Sequence, residues 1–149
     1  MNDPLLYKTQ IKDVQFGENV SIVEPTNIYG CKIGNNVKIG PFVEIQRDSE
    51  IGDDTIISSH SFIPSGVKIG NNVFVGHGVI FTNDTFNSDL IEEWEMKNTV
   101  VGDRVRIGSN STILPVNIGN NVIIGSGSVV TKDIPDNVTV YGNPARIKS

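Results

Sequence analysis

The sequence predicts an all-β fold in which short parallel strands wind into triangular coils. Two observations carry this prediction: an Ile, Val or Phe recurs every six residues, or occasionally five, and Gly very often follows it. A period of six fits neither the 3.6-residue helix nor an unbroken strand with its two-residue period. A short strand followed by a tight corner fits it well.

The recurring apolar positions run along the chain in two stretches. They are Phe16, Ile22, Ile28, Ile33, Ile39, Ile45, Ile51, Ile57, Ile63, Ile69, Val75 and Phe81, and then Val101, Ile107, Ile113, Ile118, Ile124 and Val130. Only Ile28 to Ile33 and Ile113 to Ile118 are five apart, and both steps fall at the same phase of a three-unit cycle. The natural unit is therefore a triplet of about 18 residues, which makes one coil.

The corners are predicted three places after each apolar position. Residues that tolerate positive φ fill this place: Asn19, Asn36, Asp48, Asp54, His60, Gly66, Asn72, Gly78, Asp84, Asn110, Asn121, Gly127 and Asp133. Phe42 and Arg104 break the pattern. We therefore expect those two corners to bend differently.

Stacked coils bring every third apolar position into one column. The first column holds Phe16, Ile33, Ile51, Ile69, Val101 and Ile118. Each column is expected to form a parallel sheet with its aliphatic side chains inside, and about six coils at a 4.8 Å spacing give a prism roughly 30 Å tall. Because no coil buries its face alone, the stack is cooperative.

Composition supports one compact domain. The chain has 149 residues and a net charge of −5, which offers no basic field for nucleic acid. Its one cysteine, Cys31, excludes an intramolecular disulfide. The N-terminus has no signal-like apolar region, and no apolar run approaches the length of a membrane span. We expect a soluble cytoplasmic protein.

Residues 16 to 134 resemble the hexapeptide-repeat acyltransferases. The resemblance rests on units such as IGNNVK (33 to 38), IGNNVF (69 to 74) and IGNNVI (118 to 123). It implies a left-handed parallel β-helix, although the general rule for crossovers would give right-handed coils. It also implies a homotrimer, with acyl-CoA in the cleft between neighbouring prisms. We expect a lead-in over 1–15, coils over 16–134 and a cap over 135–149.

The C-terminal segment IGSGSVVTKDIPDNVTVYGNPARI (124 to 147) resembles the last coil and cap of acetyl-CoA users in this family. The resemblance implies that Ser109 and Ser126 line the pantetheine path. It places Thr131 and Lys132 near the cofactor, and Arg146 near its phosphates. Cations at the mouth of an apolar groove suit phosphates. Alternatively, Lys132 and Arg146 are ordinary surface charges.

The rhythm breaks between Phe81 and Val101, where 20 residues replace the usual six. We expect an inserted loop at about 85–99, and a break at one corner of a solenoid usually marks the working face. Trp94 lies inside it and is a candidate substrate contact, since an exposed indole needs partly apolar cover. Alternatively, the loop folds back on its own prism.

Four residues are candidates for catalysis. His60 and His77 are expected at the corner after the second column, in adjacent coils, whereas Asn83 and Asp84 lie at the next corner, where the loop begins. His60 and Asp84 occupy positive-φ places and have a backbone reason to be there. Asn83 has no such reason.

The segments ISSHSFI (57 to 63) and VFVGHGVIFTND (73 to 84) most resemble the N-acetyltransferases that modify nucleotide-linked 3-amino sugars. The resemblance implies that Asn83 lies near the amine and the thioester. Hydroxyl acetyltransferases of the family instead carry a catalytic His where this chain has Phe86. An amine that has lost its proton attacks a thioester without a strong base, whereas a hydroxyl needs one.

Three other functions are open to this sequence. A γ-class carbonic anhydrase binds zinc through three His, whereas this chain has two, so no metal is expected. An O-acetyltransferase would use His60 or His77 as its base. A non-catalytic scaffold is disfavoured by the cofactor-like tail. The favoured reading is acetyl transfer from acetyl-CoA to the amine of a nucleoside-diphosphate amino-deoxy sugar.

Overall fold

The computed structural model describes residues 7–86 and 94–148, and these residues form a parallel β-helix. Twenty-one short strands occur in this part of the chain, and it contains no helix. The all-β prediction is confirmed, and the stacked parallel sheets are consistent with the left-handed form implied by the family resemblance. We number the three sheets by the columns defined above.

Sheet 1 contains the column that begins at Phe16. Its strands are β2 (Gln15–Phe16), β5 (Lys32–Ile33), β8 (Glu50–Ile51), β11 (Val67–Ile69), β14 (Thr99–Val101) and β17 (Asn117–Ile118). Cα partners such as Ile33 with Ile51 and Val101 with Ile118 confirm the predicted register. Ile69 pairs directly with Val101, 32 residues away, whereas paired residues in regular coils are about 18 apart. The 14 extra residues of the inserted loop therefore leave the sheet continuous.

Sheet 2 follows sheet 1 in every coil. Its strands are β3 (Ser21–Ile22), β6 (Lys38–Ile39), β9 (Ile56–Ile57), β12 (Phe74–Val75), β15 (Arg106–Ile107), β18 (Ile123–Ile124), β20 (Thr139–Gly142) and β21 (Ala145–Ile147). β20 adds in parallel to β18, and β21 turns back antiparallel to β20. This hairpin forms the C-terminal cap.

Sheet 3 completes each coil. Its strands are β1 (Ile11–Lys12), β4 (Asn27–Tyr29), β7 (Glu44–Ile45), β10 (Phe62–Ile63), β13 (Ile80–Phe81), β16 (Thr112–Ile113) and β19 (Val129–Val130). Ile11 pairs with Ile28, so the regular structure begins earlier than the expected lead-in over 1–15 allowed. The prism consequently has about seven coils rather than six, as its seven-stranded sheet shows.

The interior of the prism is filled by aliphatic side chains. Each strand of the middle coils turns one Ile, Val or Phe inward, and side chains such as Ile45, Ile63 and Ile107 are fully buried. Cys31 also lies in this core, and its burial raises the pKa of the thiol to about 11. The thiol is therefore protonated near neutral pH. No helix of the described ranges is long and apolar enough to cross a membrane.

The corner between sheets 1 and 2, which we call the ladder edge, carries a continuous column of Asn and Asp side chains. Each Oδ1 accepts a hydrogen bond of 2.7 or 2.8 Å from a backbone N–H one coil earlier. The six acceptors are Asn35, Asp53, Asn71, Asp103, Asn120 and Asp136. Asn and Asp alternate strictly along this column, so no two of these carboxylates occupy adjacent coils.

The glycine of the repeat makes room for this ladder. A Cβ atom on Gly52 would lie 2.5 Å from the carbonyl of Gly70 and 2.7 Å from Oδ1 of Asn71. Such contacts are too short for any real side chain, so a larger residue would push the coils apart. Glycine is therefore required by the close approach of successive coils.

Phe42 and Arg104 adopt positive φ like their neighbours, at 60° and 56°. The expectation that these corners bend differently is therefore wrong. The Phe42 N–H donates to the carbonyl of Pro25 at 2.7 Å, and the Arg104 N–H donates to that of Asn71 at 2.9 Å. These hydrogen bonds between coils determine the shape of the corner. They outweigh the intrinsic cost of positive φ for Phe and Arg.

Asp84 and Asp133 depart from the predicted pattern in the opposite sense, since neither has positive φ. Phe86 and Asn137 have it instead, at 51° and 62°. The inserted loop begins at Asp84, so the chain does not pass directly into the next strand as it does at a regular corner. Asp133 accepts a hydrogen bond from the backbone N–H of Asn117 at 2.8 Å. Both departures occur where the chain leaves the regular coil.

We predict that Asn71→Ala lowers the free energy of unfolding by about 1 kcal/mol, because it removes the acceptor of the Asp53 N–H. Urea denaturation at a fixed protein concentration measures this change. Asn117→Ala is the matched control, since Asn117 is exposed on sheet 1 and its backbone N–H bonds to Asp133, outside the ladder. Equal effects of the two substitutions would contradict a structural role for the ladder.

Candidate active site

Most of the candidate site residues occupy the two edges that border sheet 3, whereas Arg146 lies on β21 of the cap. His60, His77, Ser109 and Ser126 lie at the corner between sheets 2 and 3, which we call the histidine edge. Asn83, Asp84 and the inserted loop lie at the corner between sheets 3 and 1, which we call the loop edge. The ladder edge carries none of the candidates. The ladder and these candidates therefore occupy different edges of the prism.

His77 is held by two serines on the coils before and after it. Its Nδ1 lies 2.9 Å from Oγ of Ser59, and its backbone N–H donates to Oγ of Ser109 at 3.1 Å. When Nδ1–H donates to Ser59, the lone pair of Nε2 is free to accept a proton. The side chain is exposed. His77 therefore has the geometry of an oriented base at the surface.

Ser59 is a contributor that the sequence analysis missed. It lies 18 residues before His77, which is one coil, and therefore stacks directly on it. Counting back one coil of 18 residues from His77 is enough to find Ser59 in the sequence.

His60 lies on the next column of the same edge and is also exposed. Its φ is 63°, and its ring stacks on that of Phe42 with centroids 4.8 Å apart and planes 22° from parallel. The positive φ and the aromatic contact both give His60 a structural reason to be there. It is the weaker of the two candidate bases.

Asn83 is half-buried at the point where the loop leaves the prism. Its side-chain Nδ2 donates to the backbone carbonyl of Ser65 on the preceding coil at 3.2 Å. The backbone carbonyl of Asn83 accepts the Lys97 N–H at 2.9 Å. An asparagine amide has two N–H donors and two acceptor lone pairs. The bond to Ser65 uses one donor and orients the amide. The hydrogen bonds found among residues 7–86 and 94–148 leave its second donor and Oδ1 with capacity for a ligand.

Asp84 takes part in the turn that opens the loop. Its Oδ1 accepts the backbone N–H of Phe86 at 2.6 Å, as Asp side chains do in local turns. Its carboxylate therefore shapes the loop. The ring of Phe86 is 87% exposed.

The loop returns along residues 94–98, whereas residues 87–93 lie outside the described part. Trp94 is 49% exposed, so its own chain covers only half of the indole. Met96 and Asn98 pack close to Gly66, where an added Cβ would lie 2.5 Å from Oδ1 of Asn98. The returning segment is thus seated on the coil below, and Trp94 projects beyond it.

The predicted cofactor residues form two groups. Ser109 and Ser126 stack on the histidine edge, where Gly108 leaves space only for the small side chain of Ser126. Lys132 and Arg146 line one cleft of about 240 Å³ at the C-terminal end, together with Ile134 and Val140. The structure therefore brings these two predicted cofactor residues to one cleft. Thr131 is exposed beside them.

A single chain does not bring Asn83 to either histidine. His77 and Asn83 lie at opposite ends of β13, which puts them roughly 15 to 20 Å apart at about 3.3 Å per residue of extended chain. The same separation holds between Ser126 and Lys132, at opposite ends of β19. Within one chain, the two groups of candidates therefore lie on opposite sides of sheet 3.

The outward faces of the sheets differ in character. Sheet 2 exposes Ile56, Phe74 and Ile123, which are 39%, 37% and 50% exposed. Sheet 3 exposes Ile80 at 38%. Sheet 1 instead presents mainly polar and charged side chains, namely Gln15, Lys32, Glu50, Lys68 and Asn117, with Val100 among them. The histidine edge thus lies between two faces with apolar patches.

Comparisons with known proteins agree with this architecture. The family model for bacterial transferase hexapeptide (six repeats) matches residues 30–65. The model for the hexapeptide repeat of succinyl-transferase matches residues 50–83 and 98–132. The two models together cover more than half of the chain.

Among curated relatives, the bifunctional protein GlmU of Prochlorococcus marinus (strain MIT 9211) is 32% identical over 146 residues. The match covers 86% of this chain and 30% of GlmU. The chain spans about a third or less of the length of the first curated relatives it matches.

Two solved structures share the fold closely. A variant of AntD, an N-acyltransferase from Bacillus cereus in complex with dTDP and coenzyme A, superposes with a TM-score of 0.80 at 23% identity, covering 91% of this chain and 82% of that one. The second is the hexapeptide-repeat acetyltransferase VCA0836 of Vibrio cholerae O1 biovar eltor, complexed with acetyl coenzyme A. It superposes with a TM-score of 0.63 at 26% identity, covering 88% of this chain and 67% of that one. With the repeat, the coils and both family models in agreement, the chain belongs to the bacterial hexapeptide-repeat transferase family.

Proposed function

We propose that this protein transfers acetyl from acetyl-CoA to the amine of a nucleoside-diphosphate-linked amino-deoxy sugar. The observation that carries the proposal is the amide of Asn83, which is half-buried, oriented by Ser65 and placed where the inserted loop begins. Phe86 stands where hydroxyl acetyltransferases of the family carry a histidine. The fold shared with AntD, an N-acyltransferase bound to dTDP and coenzyme A, supports the same class of reaction.

In the proposed reaction the free amine attacks the thioester carbonyl of acetyl-CoA. A C–N bond forms, the tetrahedral oxyanion collapses, and the C–S bond breaks to release CoA thiolate. Asn83 holds the amine through Oδ1 and donates its second N–H to the oxyanion, a contact typically worth about 3 kcal/mol. The surplus proton of the amine passes to His77 or to the departing thiolate.

Acetyl-CoA fits the residues of the C-terminal half. Ser109 and Ser126 offer a narrow, small-residue path for pantetheine, and Lys132 and Arg146 supply two cations around one cleft for the phosphates. Thr131 lies beside this cleft. Trp94, half-exposed on the loop, is the proposed sugar contact.

We further propose a homotrimer in which the histidine edge of one chain faces the loop edge of the next. Apolar patches on sheets 2 and 3 flank the histidine edge, whereas sheet 1 is polar and faces solvent. This packing would join His77 of one chain to Asn83 of another and complete the site.

The trimer predicts a solution mass three times the 16.2 kDa of the chain. Ile123→Glu should shift the protein toward monomers, because it buries a charge in the proposed interface. Val100→Glu is the matched control, since Val100 is a similarly exposed apolar residue on sheet 1. Analytical ultracentrifugation of the three proteins measures the masses. A monomeric wild type would contradict the shared site.

A free-thiol release assay with acetyl-CoA tests the reaction itself. We expect thiol release with dTDP- or UDP-linked 3-amino or 4-amino sugars, and little with the matching 3-hydroxy or 4-hydroxy sugars. Mass spectrometry should show one acetyl group on the amine. Activity on hydroxyl acceptors alone would refute N-transfer.

Substitutions at the two edges should separate positioning from proton transfer. Asn83→Ala should lower kcat by about 10²- to 10³-fold, the usual effect of losing an oxyanion donor, while leaving the solution mass unchanged. His77→Asn should slow the reaction near neutral pH and recover as the pH rises, because the acceptor amine then loses its proton unaided. Asn117→Ala is the control for Asn83. Unchanged turnover of Asn83→Ala would remove Asn83 from the mechanism.

The second candidate is an O-acetyltransferase, favoured by the 2.9 Å contact between Ser59 Oγ and His77 Nδ1. An oriented imidazole is the base that a hydroxyl acceptor requires. In that case His77→Asn would be inactive at every pH, and hydroxyl acceptors would be the better substrates.

A further inference from the structure

A cluster of cations and phenol rings lies on the N-terminal coils, away from the candidate residues discussed so far. Tyr7, Lys8, Lys12, Tyr29 and Arg47 line an open pocket of about 690 Å³. Tyr29 belongs to β4 and Lys12 to β1, while Arg47 follows β7, so the pocket spans three coils beside the loop edge.

The pocket is a local positive region on an acidic protein. It contains three cations and one carboxylate, that of Asp13, in a chain whose net charge is −5. The ion pairs found within residues 7–86 and 94–148 are Lys68 with Glu50 and Lys97 with Glu95. None of the three pocket cations takes part in them. Their charge is therefore available to an anion.

Arg47 has the chemistry that a diphosphate requires. Its guanidinium carbon lies 5.9 Å above the centroid of the Tyr29 ring, and the side chain is exposed. A guanidinium presents paired N–H donors that match phosphate oxygens. An aromatic ring beneath it orients the group, and phenol rings also offer faces for a nucleobase to stack on.

The position of Arg47 relates it to the proposed catalytic amide. Arg47, Ser65 and Asn83 occupy the same place in three successive coils at the loop edge, and Asn83 bonds to the carbonyl of Ser65. Two coil spacings put Arg47 about 10 Å from Asn83. A hexose with a diphosphate on its anomeric oxygen has a comparable length. An amine held at Asn83 would thus direct the diphosphate toward Arg47.

We infer that Arg47, Lys12 and Tyr29 form the subsite for the nucleoside diphosphate of the acceptor. Arg47 and Lys12 bind the two phosphates, and the phenol rings of Tyr29 and Tyr7 face the nucleobase. The inference rests on the proposed function for the identity of the acceptor, whereas the binding chemistry is independent of acetyl transfer.

Isothermal titration calorimetry of the full chain with dTDP, UDP and inorganic pyrophosphate tests the subsite. Arg47→Gln should weaken nucleoside diphosphate binding by about tenfold or more, the effect of losing charge-assisted hydrogen bonds. Lys38→Gln is the matched control: it removes the same charge from an exposed side chain in the same coil as Arg47, but on sheet 2. Binding of CoA should be unchanged in both variants.

The outcomes separate this inference from the proposed function. Arg47-dependent binding of dTDP or UDP by a protein that transfers no acetyl would support the subsite and refute the transferase. Acetyl transfer to nucleotide amino sugars with a KM unaffected by Arg47→Gln would refute the subsite alone. No binding of either nucleotide by the wild type would overturn the subsite, and equally tight binding of pyrophosphate would overturn its nucleoside part.

Discussion

The register between coils depends on one repeated contact, in which a backbone N–H next to a glycine meets the Oδ1 of an Asn or Asp on the following coil. The glycine lets successive coils lie close together, and the Asn or Asp side chain then accepts a hydrogen bond from the backbone N–H. The contact even spans the inserted loop, since the Asn71 N–H bonds to Asp103, 32 residues away. The ladder thus adds side-chain hydrogen bonds at this edge to the backbone hydrogen bonds that join the coils at all three edges.

The shape of the fold explains why the candidate residues lie at edges. A parallel solenoid has little concave surface of its own, so a ligand must bind beside an edge or between two prisms. The histidine edge offers an imidazole and small residues, while the loop edge offers an amide, an indole and cations. Each set is incomplete without the other, and sheet 3 separates them within one chain. Assembly would therefore create the site as well as stabilise the fold.

The sequence predicted the sheets well because burial enforces the six-residue period on every coil. It predicted corner geometry less well, since bonds between coils overrule local preference at Phe42 and Arg104. The first coil was missed although Ile11 to Phe16 repeats the five-residue step of Ile28 to Ile33. The sequence placed the two histidines and Asn83 at successive corners, and their roles stay predictions. Their separation across sheet 3 follows from three-dimensional stacking. The cluster around Arg47 becomes visible only in the structure, whereas the 18-residue coil period already relates Ser59 to His77.

The strict alternation of Asn and Asp along the ladder gives the edge a period of two coils, although the backbone repeats with every coil. Carboxylates on adjacent coils, about 5 Å apart, would repel each other by about 1 kcal/mol even in water. Deleting the single coil that carries Asn71 would stack Asp53 on Asp103, whereas deleting a pair of coils would keep the alternation. Such a solenoid is thus most easily lengthened by duplication, or shortened by deletion, of an even number of coils. This constrains both its evolution and its redesign.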